Sequence, residues 1–188
     1  MRKLVKFITL IFGSWVLLSA DVMINEVNFY PETWVEIYNP ASCNIDLSDY
    51  KLVTPSGAIN LEGIEIAPNS YIILSRERLF PHNDFVVNIE LSNSGGYILL
   101  MRGSAVVDFV NWGILSSDWK NSYPFLWDDA PVADMNLARI PDGHDTDRPQ
   151  DFRNTETPTP ISPNTTMGLD PVSWSRIKAL FRDAHKRM

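Results

Sequence analysis

The sequence predicts an all-β fold, a sandwich or barrel of about seven to nine strands. Three observations carry that prediction. Short runs rich in Val, Ile, Tyr, Phe and Trp recur between Asp21 and Trp112, each closed by Pro, Gly or Asn. None of these runs shows the apolar period of a helix. Two of them, residues 97–102 and 105–112, flank Gly103-Ser104, a two-residue turn of the kind that closes hairpins.

The chain opens outside that fold. Arg2, Lys3 and Lys6 precede an apolar stretch, residues 7–18, broken only by Thr9 and Ser14, and Ser19-Ala20 supplies small residues before Asp21. This is the order of a secretory signal peptide over residues 1–20. Its apolar core is well short of the roughly 20 residues that a spanning helix needs. The expected location is therefore exported: periplasmic, cell-surface or secreted. The alternative is anchoring by an uncleaved signal.

The strands come next, in order. Residues 22–29 form the first run, and residues 34–38 follow the Pro31-Glu32 break and end at Asn39-Pro40. Residues 50–54 stop at Pro55-Ser56-Gly57, residues 59–66 contain Gly63, and residues 71–75 follow Pro68-Asn69. Residues 85–91 precede the turn Asn93-Ser94-Gly95-Gly96 and the hairpin after it. Residues 113–138 hold Trp119, Tyr123, Phe125 and Trp127 and read as a long loop lying over one sheet. Its aromatics either plug the fold or stack on sugar rings as a carbohydrate platform. Residues 137–141 read as a last short strand, and the Pro-rich residues 155–164 as a strap along the surface. Then Asp170 caps and Pro171 opens a helix. Trp174, Ile177, Leu180, Phe181, Ala184 and Met188 share one face of it, and Arg176, Lys178, Arg182, Asp183, Lys186 and Arg187 occupy the rest. Residues 165–188 thus read as a linker and a basic amphipathic helix.

Charge narrows the partners. The whole chain carries a net charge of −7. Residues 21–188 hold 13 Lys and Arg against 23 Asp and Glu, and five of those cations lie in the final helix. The acidic body repels phosphate backbones, so nucleic acid is excluded as its partner. The basic helix has three readings: folding back onto the body, lying on an anionic membrane surface, or docking into a protein or cell-envelope component. Trp174, Ile177, Phe181 and Arg182 are the candidate partner-binding residues. Cys43 is the sole cysteine, so no intramolecular disulfide holds the domain. It reads as a small buried or loop residue.

The most site-like stretch is Asp142-Gly143-His144-Asp145-Thr146-Asp147, with Asp151 beyond it. Asp142, Asp145, Asp147 and Asp151 are candidate metal ligands, because Ca²⁺ takes six to eight oxygens. The competing reading is a structural turn built by Asp side chains bonding their own backbone. Calcium aside, no cofactor is expected. A hydrolase would rest on Asp142, His144 and Asp145. The chain holds no Gly-x-Ser-x-Gly elbow, phosphate loop or His-Glu-x-x-His motif, and the expectation is that it is not an enzyme. Glu36, between Val35 and Ile37, reads either as a solvated strand residue or as a hydrogen-bond partner of a neighbouring turn. Asn164-Thr165-Thr166 is a glycosylation sequon, relevant in a glycosylating secretory pathway.

Several segments, in order, resemble the lamin-tail domain as found in bacterial exported proteins. They are Ile24-Asn25-Glu26-Val27, Trp34-Val35-Glu36-Ile37-Tyr38-Asn39-Pro40, and Ile45-Asp46-Leu47-Ser48-Asp49-Tyr50-Lys51-Leu52, where Asp49 and Tyr50 replace the family's usual Gly and Trp. Ile66-Ala67-Pro68-Asn69-Ser70-Tyr71 and Leu91-Ser92-Asn93-Ser94-Gly95-Gly96 come after them, then Arg139-Ile140-Pro141-Asp142-Gly143 and Thr159-Pro160-Ile161-Ser162-Pro163-Asn164. Residues 113–138 are longer than that family's pattern expects. The resemblance implies an immunoglobulin-like sandwich over residues 21–164 that binds or scaffolds through protein–protein or cell-envelope contacts, and it brings no catalytic residues. The rival reading is a carbohydrate- or calcium-dependent surface-binding module using the loops of residues 113–151.

Overall fold

Apolar residues alternate with larger polar or aromatic ones along β2 (Trp34–Asn39), so Val35 and Ile37 turn to one side while Trp34, Glu36 and Tyr38 turn to the other. This strand lies inside a six-stranded sheet of the computed structural model, which describes residues 21–80 and 83–164. The expected signal peptide and the expected helix with Trp174, Ile177, Phe181 and Arg182 lie outside the described residues.

The six-stranded sheet runs in the order β12 (Phe152–Asn154), β11 (Asn136–Arg139), β1 (Met23–Asn28), β2, β7 (Ser70–Ser75), β8 (Asp84–Val86). A four-stranded sheet runs β10 (Ala105–Gly113), β9 (Gly95–Arg102), β4 (Tyr50–Thr54), β5 (Gly57–Asn60). The short strands β3 (Ile45–Asp46) and β6 (Glu65–Ile66) pair separately. The fold is all-β and sandwich-like. One buried cluster joins Ile24, Val27, Val35, Ile37, Leu74 and Leu137 of the larger sheet to Leu52, Ile98, Leu100, Val110 and Trp112 of the smaller. Burying side chains of this size removes about 1.5–3 kcal/mol of hydration cost each.

A second, smaller cluster of Tyr97, Leu99 and Leu126 lies against Phe109, Met101, Trp119 and Tyr123. It forms on the outer face of the four-stranded sheet because residues 114–135 cover that face. Within this segment, which reads as loop, the structure has a short helix, α1 (Ser117–Ser122). The Ser116 hydroxyl accepts the Trp119 N–H and starts it.

Three other elements differ from the sequence reading. Residues 59–66 split into β5 and β6 around a turn in which the Ile64 N–H donates to the Leu61 carbonyl. The expected strand over residues 85–91 is only Asp84–Val86 and pairs parallel with β7. β12 pairs with β11, although its residues carry no β-run long enough to announce it.

A β-bulge decides what faces outward. Ile24 pairs with Ile37 and Glu26 pairs with Glu36, which leaves Asn25 as the extra residue of β1. Ile24 and Val27 therefore both face the core, while Asn25 and Glu26 both face the outside of the six-stranded sheet. That outer face is where the strap, residues 155–164, lies.

Candidate functional site

One group of buried polar side chains lies beneath the strap. Glu26 and Glu36 sit directly opposite one another on β1 and β2, and both are fully buried. Glu26 Oε1 accepts the Thr159 N–H at 3.0 Å, and Glu26 Oε2 accepts the Thr159 hydroxyl at 3.2 Å. Glu36 Oε2 accepts the Ile161 N–H at 2.7 Å. Asp142 Oδ1, from the turn after β11, accepts the Asn164 N–H at 2.9 Å. Three carboxylates thus hold the strap by its own donors. The Asn164 side-chain amide completes the seam by donating to the carbonyls of Asn25 and Arg139.

Asn25 and Asn136 stitch the carboxylates to the sheet. The Asn25 amide donates to Glu36 Oε1 at 2.8 Å and to Asp142 Oδ1 at 3.1 Å, and the Asn136 amide donates to Glu26 Oε1 at 2.6 Å. The Tyr71 hydroxyl donates to Asp142 Oδ2 at 2.6 Å, with its ring stacked on Tyr38. The side-chain oxygens of Asn25 and Asn136 are buried without a partner, which costs about 1–3 kcal/mol each. The cluster is rich in acceptors and short of donors.

That imbalance sets its electrostatics. Burial pushes the Glu36 carboxyl up to about 8, against the bonds from Asn25 and Ile161, and Glu26 and Asp142 add like charge. Burial also raises Glu26, offset in part by the bonds from Thr159 and Asn136. The Tyr71 hydroxyl is raised by burial and then by its bond to Asp142. Ile161 has φ of 58°, a strained conformation for a β-branched residue that costs about 1–3 kcal/mol. The strap adopts it where its N–H meets Glu36.

A second polar group sits inside the fold. The Arg139 guanidinium, from β11, is buried and donates to both oxygens of Asp108 on β10, at 2.9 and 2.8 Å. Asp108 also accepts the N–H of Ile24 on β1 at 2.7 Å, so this pair ties the two sheets together. Burial still raises Asp108 to about 6, despite Arg139 beside it. The guanidinium lies 4.5 Å from the centre of the Phe152 ring, and its Nη1 donates to Asp145 at 3.0 Å.

Of the four aspartates singled out as metal candidates, three divide between these two groups and Asp147 stands in the turn between them. Asp142 serves the strap. Asp145 pairs with Arg139, and Asp151 lies 3.9 Å from the same guanidinium. Asp151 also accepts the backbone N–H of Thr146 and Arg148 and the Thr146 hydroxyl. Burial pushes its carboxyl up, but these bonds and Arg139 outweigh that and leave it below its ordinary range. Asp147 has φ of 56° in the turn, where its N–H donates to Asp145 Oδ1 and its carbonyl accepts the Trp127 indole N–H. The turn is organised around a cation the chain itself supplies. Among the described residues no three His, Cys, Asp or Glu side chains are arranged to hold a metal ion.

The remaining candidates lie apart from both groups or at their edges. His144 is half exposed, with Nε2 3.8 Å from Asp151 and its N–H donating to the Pro141 carbonyl. Trp119 and Tyr123 pack on Tyr97, while Phe125 and Trp127 pack on Phe109. Cys43 is exposed. No protein-family model matches the chain, and no curated protein matches it either.

Glu36 is not a solvated strand residue, because the strap covers it; the hydrogen-bonded reading is the observed one, and its partners are Asn25 and the strap. The sequon residue Asn164 is 5% exposed, with its amide nitrogen donating to the carbonyls of Asn25 and Arg139. Glu26, Asn25, Asn136, Asp108 and Arg139 were not among the sequence candidates. Two consecutive polar residues, Asn25-Glu26, inside an otherwise apolar run were the one available sign of the bulge and of a polar outer face.

Proposed function

We propose that the chain is a non-enzymatic, exported binding or structural module of lamin-tail type, built as an immunoglobulin-like sandwich. It acts through protein–protein or cell-envelope contacts of residues 165–188. The observation that carries this reading is the use of the buried polar groups. Glu26, Glu36 and Asp142 are committed to seating the strap, and Asp108, Arg139 and Asp145 to tying elements together. A fold that spends its carboxylates on anchoring the run-up to residue 165 is suited to presenting residues 165–188 to a partner. The order of the lamin-tail-like segments and the sandwich-like sheets support the same reading. Trp174, Ile177, Phe181 and Arg182 are the residues assigned to the partner.

Crosslinking capture from envelope extract tests this, using residues 21–188 beside residues 21–169. The expected result is a partner held by the longer form, lost from the shorter one and weakened by Phe181→Ala. Identical capture by both forms overturns the assignment of the contact to residues 170–188. A calcium titration addresses the rival reading: a rise in melting temperature with added Ca²⁺ favours a calcium-dependent module over this one.

A further inference from the structure

We propose that the seam beneath the strap is a proton-dependent clasp, in which a proton carried by the buried pair Glu26 and Glu36 keeps residues 159–164 seated and its loss lets them lift from the sheet. The geometry carries this. Each backbone N–H by which Thr159, Ile161 and Asn164 reach the sheet ends on a carboxylate. Two of those carboxylates face each other across paired strands, where like charges repel. Buried amide oxygens of Asn25 and Asn136 lie beside them without donors, so the seam lacks a proton rather than an acceptor. Ile161 holds a strained backbone at the point of attachment, and lifting relieves it.

Among the described residues no compensating cation reaches the two glutamates. The groups facing them are Asn25 of β1, Tyr38 of β2, Tyr71 of β7, Asn136 of β11, Asp142 of the turn after β11 and Thr159 of the strap. Arg139 turns inward to Asp108. Among the described residues neither Glu26 nor Glu36 forms an ion pair. The raised Glu36 carboxyl, at about 8, agrees with a carboxyl that keeps its proton at neutral pH. Its sign is fixed: a group raised in the seated state favours seating at low pH and loses that effect as pH rises toward its seated value. The strap runs directly into residue 165, so lifting lengthens the tether of residues 165–188. That consequence rests on the binding reading above; the clasp itself does not.

Amide hydrogen exchange on the full chain, expressed as protection factors so that the intrinsic pH dependence drops out, tests the clasp. The Thr159 and Ile161 amides are expected to lose protection by about tenfold per pH unit on the approach to pH 8 and to level off above it, as one released proton requires. They should stay less protected than the core amide of Leu99 throughout, since lifting is local. In Glu36→Gln the levelling near pH 8 should vanish. Protection that stays flat across this range overturns the clasp, as does protection equal to that of Leu99, and both are read on the native sequence whether or not the variant folds. The same break persisting in Glu36→Gln also overturns it.

Discussion

A buried carboxylate behaves according to what stands beside it, and this fold contains both cases. Asp108 has Arg139 at hydrogen-bond distance, whereas among the described residues Glu36 has the Asn25 and Ile161 amides and the acids Glu26 and Asp142 beside it. Removing the cation from the first pair strands a charge. Arg139→Met should therefore cost about 3–5 kcal/mol in urea unfolding, and the double variant Arg139→Met with Asp108→Leu should recover a large part of it. The pH dependence has a definite sign. Asp108 and Glu36 are both raised in the folded state, so each favours folding at low pH and loses that effect as pH rises, through about 6 for Asp108 and about 8 for Glu36. Asp151 is lowered, so its contribution is lost on the acid side, below the ordinary carboxylate range. The urea midpoint should accordingly peak at mildly acidic pH and decline toward pH 8. In Glu36→Gln the part of that decline closest to pH 8 should disappear. Little of this was legible residue by residue. A single Glu between Val35 and Ile37 has the pattern of a half-solvated strand, and only the strap, distant in sequence, buries it.

Elements were easier to read where the local chain decides their form. The hairpin of β9 and β10 turns at Gly103, whose φ of 58° suits glycine, and that turn stands in the sequence as Gly103-Ser104. Gly96 is a packing position: a Cβ there would come within 2.9 Å of the Trp112 ring, and Trp112 is fully buried. Gly96→Ala should destabilise by about 1–3 kcal/mol in thermal or urea unfolding, the usual cost of overpacking. Elements that depend on distant partners were not legible. β8 exists because β7 offers its edge, β12 because β11 does, and the outward pair Asn25-Glu26 because of a bulge set by pairing with β2. The aspartate-rich turn was seen as a cluster, but its organising cation, Arg139, precedes it on a strand and gives no sign in the spacing of the acids.

At the scale of the whole molecule, composition separates an acidic body from a basic end, and the described structure gives the body a reason to stand without that end. Its core closes between two sheets, its outer faces are covered by residues 114–135 and by the strap, and its buried carboxylates find partners within residues 21–164. If residues 170–188 serve a partner, the body should not need them. If they fold back, their apolar face and five cations should add to its stability. Thermal unfolding of residues 21–188 beside residues 21–169 decides between these most directly. Melting temperatures should be equal to within about 1 °C, since each kcal/mol lost from a domain of this size lowers the midpoint by roughly 2–4 °C. A drop of several degrees on truncation would instead make residues 170–188 part of the fold.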